Sequence, residues 1–236
     1  MPDAMTADRL SPVHVTVARL YTDRPFRENG SALRRAVTAL FPDMPVLHHH
    51  RADGRSDYSL PLVRYLVIDA TPHLVGLGPG RQAVGLIASQ IGRLVTARRS
   101  YTVTGSDFIE DGILLGTAER LASYTSRSAW LALNQANANR FKKLDSARDR
   151  TRLLEKILVG NFLSLAKGLG INITDRVMLK LIRFHWRIVR TPNPMLGFSV
   201  SYVSNMVLPE FLGLGKMVSK GFGLMRPPEQ EDGPCR

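Results

Sequence analysis

Two periodicities take turns along the chain. Val13, Val15 and Val17 alternate with His14, Thr16 and Ala18, the two-residue repeat of a half-buried strand. From Ser31 to Phe41 the apolar residues Leu33, Ala36, Val37 and Leu40 fall on one helical face, with Ser31 placed to cap it and Pro42 and Pro45 to end it. Leu62–Ile68 and Leu74–Leu77 read as strands joined at Asp69-Ala-Thr-Pro72. A second helix is predicted over Gly80–Leu94 through Val84, Ile87, Ile91 and Leu94, and a fourth strand over Tyr101–Thr104. The order βαββαβ is that of a ferredoxin-like unit.

The second half repeats the theme more loosely. Ile113–Tyr124 suggests an opening strand, and Arg127–Leu144 and Ala147–Lys167 suggest helices. Leu153, Leu154, Ile157, Leu158, Phe162 and Leu165 line one face of the latter, with Gly168 as its C-cap. Arg176–Arg190 is long, basic and partly alternating, and Phe198, Val200 and Tyr202 alternate in a further strand before the last short one. The expected fold class is α+β, with two tandem ferredoxin-like domains, the C-terminal one diverged. The expected limits are 1–108 and 109–226, with a Pro-rich, disordered tail over 227–236.

Charge narrows the partner. The formal charge is +12, and thirteen Lys/Arg stand against four Asp/Glu between Arg140 and Arg190. Such a surface favours a polyanion, either nucleic acid or an acidic membrane face. No apolar run approaches the roughly eighteen residues of a membrane span. The start, Met1–Leu10, is polar, and the single cysteine, Cys235, allows neither a disulfide framework nor a Cys-based zinc site. A cytoplasmic protein without membrane association, metal or cofactor is the expectation.

Two stretches carry candidate chemistry. Gly213-Leu-Gly-Lys-Met-Val-Ser-Lys-Gly-Phe-Gly223 brackets Lys216 and Lys220 with Gly213, Gly215, Gly221 and Gly223. It has neither P-loop nor dinucleotide spacing. Free N–H groups in such a turn, with lysine charge beside them, suit a phosphodiester backbone. A tight surface turn is the competing reading. In Leu47-His48-His49-His50, extended backbone would put His48 and His50 on one side. Two imidazoles there can divide the roles of proton base and proton acid that metal-free RNA cleavage requires; a polar loop is the plain alternative. Tyr58 could orient a phosphate or stack on a base. Lys167 could reach a phosphate or simply complement a helix dipole. His14 and His185 read as structural or RNA-contacting, His73 as a turn residue, and Trp130, Trp186 and Tyr65 as core.

Several segments in shared order resemble one family. They are Leu47-His-His-His50, Tyr58-x-x-Pro-Leu-Val-x-Tyr65, Pro72-x-Leu-Val-Gly76, Trp130-x-Ala-Leu-Asn-Gln135, Leu158-Val-Gly-Asn-Phe-Leu-Ser-x-Ala-Lys-Gly-x-Gly170, and Leu208-Pro-x-Phe-Leu-Gly-Leu-Gly-Lys-x-Val-Ser-x-Gly-Phe-Gly223. The chain is similar to the CRISPR repeat-processing endoribonucleases of the RAMP superfamily, in their b-type branch. The resemblance implies metal-independent cleavage of CRISPR precursor RNA within its repeats, leaving 5′-OH and 2′,3′-cyclic phosphate ends. It implies catalytic roles for His48, His50 and Tyr58. It also implies RNA-backbone contacts from the glycine-rich loop, with CRISPR repeat RNA as partner; Lys167 is expected to support them, and other CRISPR effector subunits are a further expected partner. The chain departs from the family pattern at Leu60, often tyrosine, at Arg64, often glutamine, and in the extra His49. The alternative function is a non-catalytic RNA-binding subunit of a CRISPR effector complex.

Overall fold

In a computed structural model, residues 9–47 and 60–226 are described. Their contacts divide into two compact units: an N-terminal one, residues 12–113 with 217–222, and a C-terminal one, residues 9–11, 114–216 and 223–226.

The N-terminal unit contains all but the first two residues of β1 (Leu10–Thr22), then α1 (Gly30–Leu40), β2 (Val63–Ile68), β3 (Thr71–Leu77), α2 (Gly80–Gln90), β4 (Arg93–Val95) and the first part of β5 (Ser100–Ser126). β3 lies between β1 and β2, antiparallel to both, with Val17 opposite Val75 and Tyr65 opposite Leu74. β1 also neighbours β5. Counting β5 as the fourth strand, the order is fourth, first, third, second: the ferredoxin-like arrangement. The core under this sheet joins Leu20, Leu33, Val37, Leu47, Tyr65, Leu74, Val84 and Ile87. The helix residues among them are those whose spacing marked the apolar faces.

The C-terminal unit has the rest of β5, α3 (Gln135–Lys143), α4 (Ala147–Gly168), β6 (Leu179–Val189), β7 (Met195–Val207) and β8 (Met225–Arg226). β7 pairs with β6 on one side and β5 on the other, while β5 also pairs with β8. The order β8-β5-β7-β6 is again fourth, first, third, second. The divergence is in the second crossover. Between β7 and β8 there is no α-helix; the glycine-rich stretch and a one-turn 3₁₀ helix, Val218–Lys220, stand at that point of the chain.

Several boundaries differ from expectation, each for a tertiary or capping reason. Asn29, not Ser31, caps α1: its side-chain oxygen accepts the Ala32 N–H at 3.0 Å. α2 stops at Gln90 because residues 93–95 are drawn into a short hairpin, Leu94 opposite Tyr101. The segment after Arg127 is extended rather than helical, since Trp130 exchanges both backbone hydrogen bonds with Phe198, at 2.8 and 2.9 Å; α3 begins only at Gln135, behind the Asn134 cap. α4 runs through Gly168, and the left-handed residue after it is Gly170. Tyr101–Thr104 and Ile113–Tyr124 belong to one strand, β5.

Candidate nucleic-acid interface

His48, His50 and Tyr58 lie outside the described residues. What is described is the flank that holds them. Leu47 ends a one-turn 3₁₀ helix, Pro45–Leu47, and is buried in the N-terminal core. The chain therefore enters the histidine stretch from a fixed point, directly after α1 and before β2.

Residues 217–222 pack against α1 and β2. Met217 and Gly221 adopt left-handed φ of 57° and 81°, and the Gly221 N–H closes the turn on the Val218 carbonyl at 3.1 Å. A left-handed methionine is uncommon and carries a backbone cost. The reason for the close fit is Gly30: a Cβ there would overlap the carbonyl oxygens of Tyr65 and Lys220. A glycine that opens α1 thus seats the turn against the helix, and no motif in the sequence marked it. Lys220 is half-buried. Burial first, and then the charges of Arg34 and Arg35, lower its pKa from the ordinary lysine value.

The remaining loop residues belong to the C-terminal unit. Gly215, at φ 87°, approaches the Leu131 carbonyl and the Trp130 indole, and Lys216 donates its backbone N–H to Leu131 at 3.0 Å. The Lys216 side chain is exposed. Gly213 is buried. Gly223, at φ 72°, packs so closely on Leu214 that a Cβ would overlap the Leu214 carbonyl oxygen. These glycines are needed for the loop's own path, which joins the two readings of the sequence: a tight turn that carries lysines. Trp130 is fully buried beside this loop, its indole N–H donating to Asn161 on α4 at 3.0 Å. Lys167, exposed in the last turn of α4, lines a cleft with Leu163, Gly170, Ile171, Asn172 and Ile173.

Other residues shift role. His73 is buried in β3 rather than at a turn, with Nδ1 2.9 Å from the Thr71 carbonyl. Trp186 is 50% exposed on β6, so it is not core as expected. Tyr65 is core, and burial raises its phenol pKa above the ordinary range. Arg64 is wholly buried, which lowers its pKa to about 10. His14 on β1 and His185 on β6 are exposed. Among the described residues, no three His, Cys, Asp or Glu side chains gather as metal ligands would, and no helix is long and apolar enough to cross a membrane.

Comparison with known proteins agrees with this architecture. One solved structure of Cas6b superposes with a TM-score of 0.82 at 27% identity, covering 92% of this chain and 100% of that one. Another, of the CRISPR RNA processing endoribonuclease Cas6b, gives 0.71 at 25% identity over the same shares. The uncharacterized protein MJ0978 of Methanocaldococcus jannaschii is 38% identical over 109 residues, 46% of this chain and 74% of that protein. The Cas6b N-terminal domain model matches residues 12–111 and the Cas6b C-terminal domain model residues 116–227. With both halves matched in order, the chain belongs to the Cas6b family.

Proposed function

We propose that the protein is an endoribonuclease that cuts CRISPR precursor RNA within its repeats and releases mature crRNA. The observation that carries this reading is the match of both Cas6b domain models along one basic chain. In the reaction, one imidazole of the His48/His50 pair takes the proton of a ribose 2′-OH. The 2′ oxygen bonds to the adjacent phosphorus, the bond from phosphorus to the 5′ oxygen breaks, and the second imidazole protonates that leaving oxygen. The ends are a 2′,3′-cyclic phosphate and a 5′-OH. The ribose hydroxyl supplies the nucleophile, so no metal ion takes part. Tyr58 orients the scissile phosphate. Lys167, Lys216, Lys220 and the loop glycines hold the RNA backbone. Each positioned proton-transfer group contributes on the order of 10²–10⁴-fold in rate.

Purified protein should cut its repeat RNA once, in the presence of chelator, and fail on a repeat with a 2′-deoxynucleotide 5′ to the cut. The His48→Ala/His50→Ala double variant should bind that RNA and leave it intact. Unimpaired cutting by the double variant would remove the histidines from the mechanism. A gel shift without cutting by the wild type would favour the RNA-binding subunit instead.

A further inference from the structure

The turn 217–222 does more than present one lysine. Gly30 lets the Lys220 backbone rest directly on the start of α1. Arg34 follows Gly30 by four residues, so it lies one turn further along the same helix face; Arg35 is its neighbour. Arg34 is half-buried and Arg35 exposed. The charge of Arg34 is felt at both the Tyr65 phenol and the Lys220 ammonium, and that of Arg35 at Lys220. The described ion pairs of the protein engage Arg9, Arg24, Arg127 and Arg152; among the described residues no carboxylate pairs with Arg34, Arg35 or Lys220. The charges of Arg34 and Arg35 oppose the positive form of Lys220, and an anion brought among them relieves that repulsion. Two guanidiniums with an ammonium match a phosphate: arginine offers a planar fork of donors, lysine a point charge.

We propose that Arg34 and Arg35 of α1, together with Lys220, form a phosphodiester-binding cluster in the N-terminal unit that holds the backbone of the RNA. This rests on the RNA-processing reading above and adds to it two positioning residues from a helix that no motif had marked. The ligand is recognised by its phosphate, so the cluster adds grip without reading sequence. It also couples the grip to the fold, because the cations come from two chain segments more than 180 residues apart whose close approach Gly30 permits.

The test is fluorescence anisotropy with a labelled repeat RNA, made uncleavable by a 2′-deoxy substitution and titrated at several salt concentrations. The slope of log affinity against log salt falls by about 0.7 for each lost contact to a single strand. Arg34→Gln/Arg35→Gln should therefore reduce the slope by about 1.4 and weaken binding at low salt, and Arg34→Lys/Arg35→Lys should restore most of the slope. Arg98→Gln/Arg99→Gln removes the same charge from an exposed turn of the same unit and should leave the slope near the wild-type value. Equal losses from the two glutamine pairs, or wild-type binding by Arg34→Gln/Arg35→Gln, would overturn the cluster while leaving RNA processing in place. A wild-type protein that binds no RNA would overturn the processing reading itself. Circular dichroism melts of each variant separate lost contacts from lost fold.

Discussion

Lys220 is where burial and charge act on the same side chain. Burial, then Arg34, then Arg35, oppose its positive form, so it gives up its proton at a lower pH than a free lysine. The sign of the consequence follows. With the folded pKa below the unfolded one, the folded state binds fewer protons between the two values, and stability rises with pH across that window. Under the proposed role of Lys220, RNA affinity should move the opposite way there, because the ammonium assigned to phosphate is disappearing. Denaturant titrations and anisotropy carried upward to the ordinary lysine value of 10.5 should show these opposed trends in the wild type. Lys220→Arg, which keeps its charge, should flatten both. Arg64 is a second burial effect, its pKa lowered to about 10 with desolvation as the cause. It sits on β2, where the chain departs from the pattern it resembles, and its place in the sheet, opposite Val75, was invisible in the residue type.

Among the elements, α1 joins core, cap and cationic face within eleven residues. Leu33, Ala36 and Val37 face the core, Asn29 satisfies an otherwise orphan N–H at its start, and the charges of Arg34 and Arg35 act on Lys220. Asn29→Ala should cost about 1 kcal/mol of stability and Asn29→Ser far less, read by urea unfolding. Because α1 leads directly to Leu47 and the histidines, fraying at its start is a loss to the scaffold of the proposed site. Period-based reading located α1, α2 and α4 well, since their apolar faces are continuous. It overextended the helix before Gln135, where Trp130 is captured by β7 and local propensity is overridden by pairing with Phe198. It also split β5, because the polar stretch around Asp107–Gly112 looks like a linker when no partner strand is known.

At the scale of the whole molecule, a charge of +12 suits a polyanion, and the proposed RNA binding should weaken steeply with salt through counterion release. Lys216→Ala should lower affinity about equally for any RNA sequence and reduce the salt slope by about 0.7, measured with repeat and scrambled RNAs in parallel; wild-type affinity would take the exposed half of the loop out of the interface. The amino-acid sequence by itself determined the α+β class, the twofold ferredoxin-like order, the basic character and the ordered motifs that mark the Cas6b family. These depend on periodicity, charge and spacing, which are one-dimensional. Only the tertiary structure decided that Asn29 and Gly30 open α1, that His73 and Arg64 are buried and Trp186 exposed, and that the start of α1 meets the backbone of Lys220. Such placements depend on which backbone another backbone touches, and contact between residues far apart in the chain leaves no period to read.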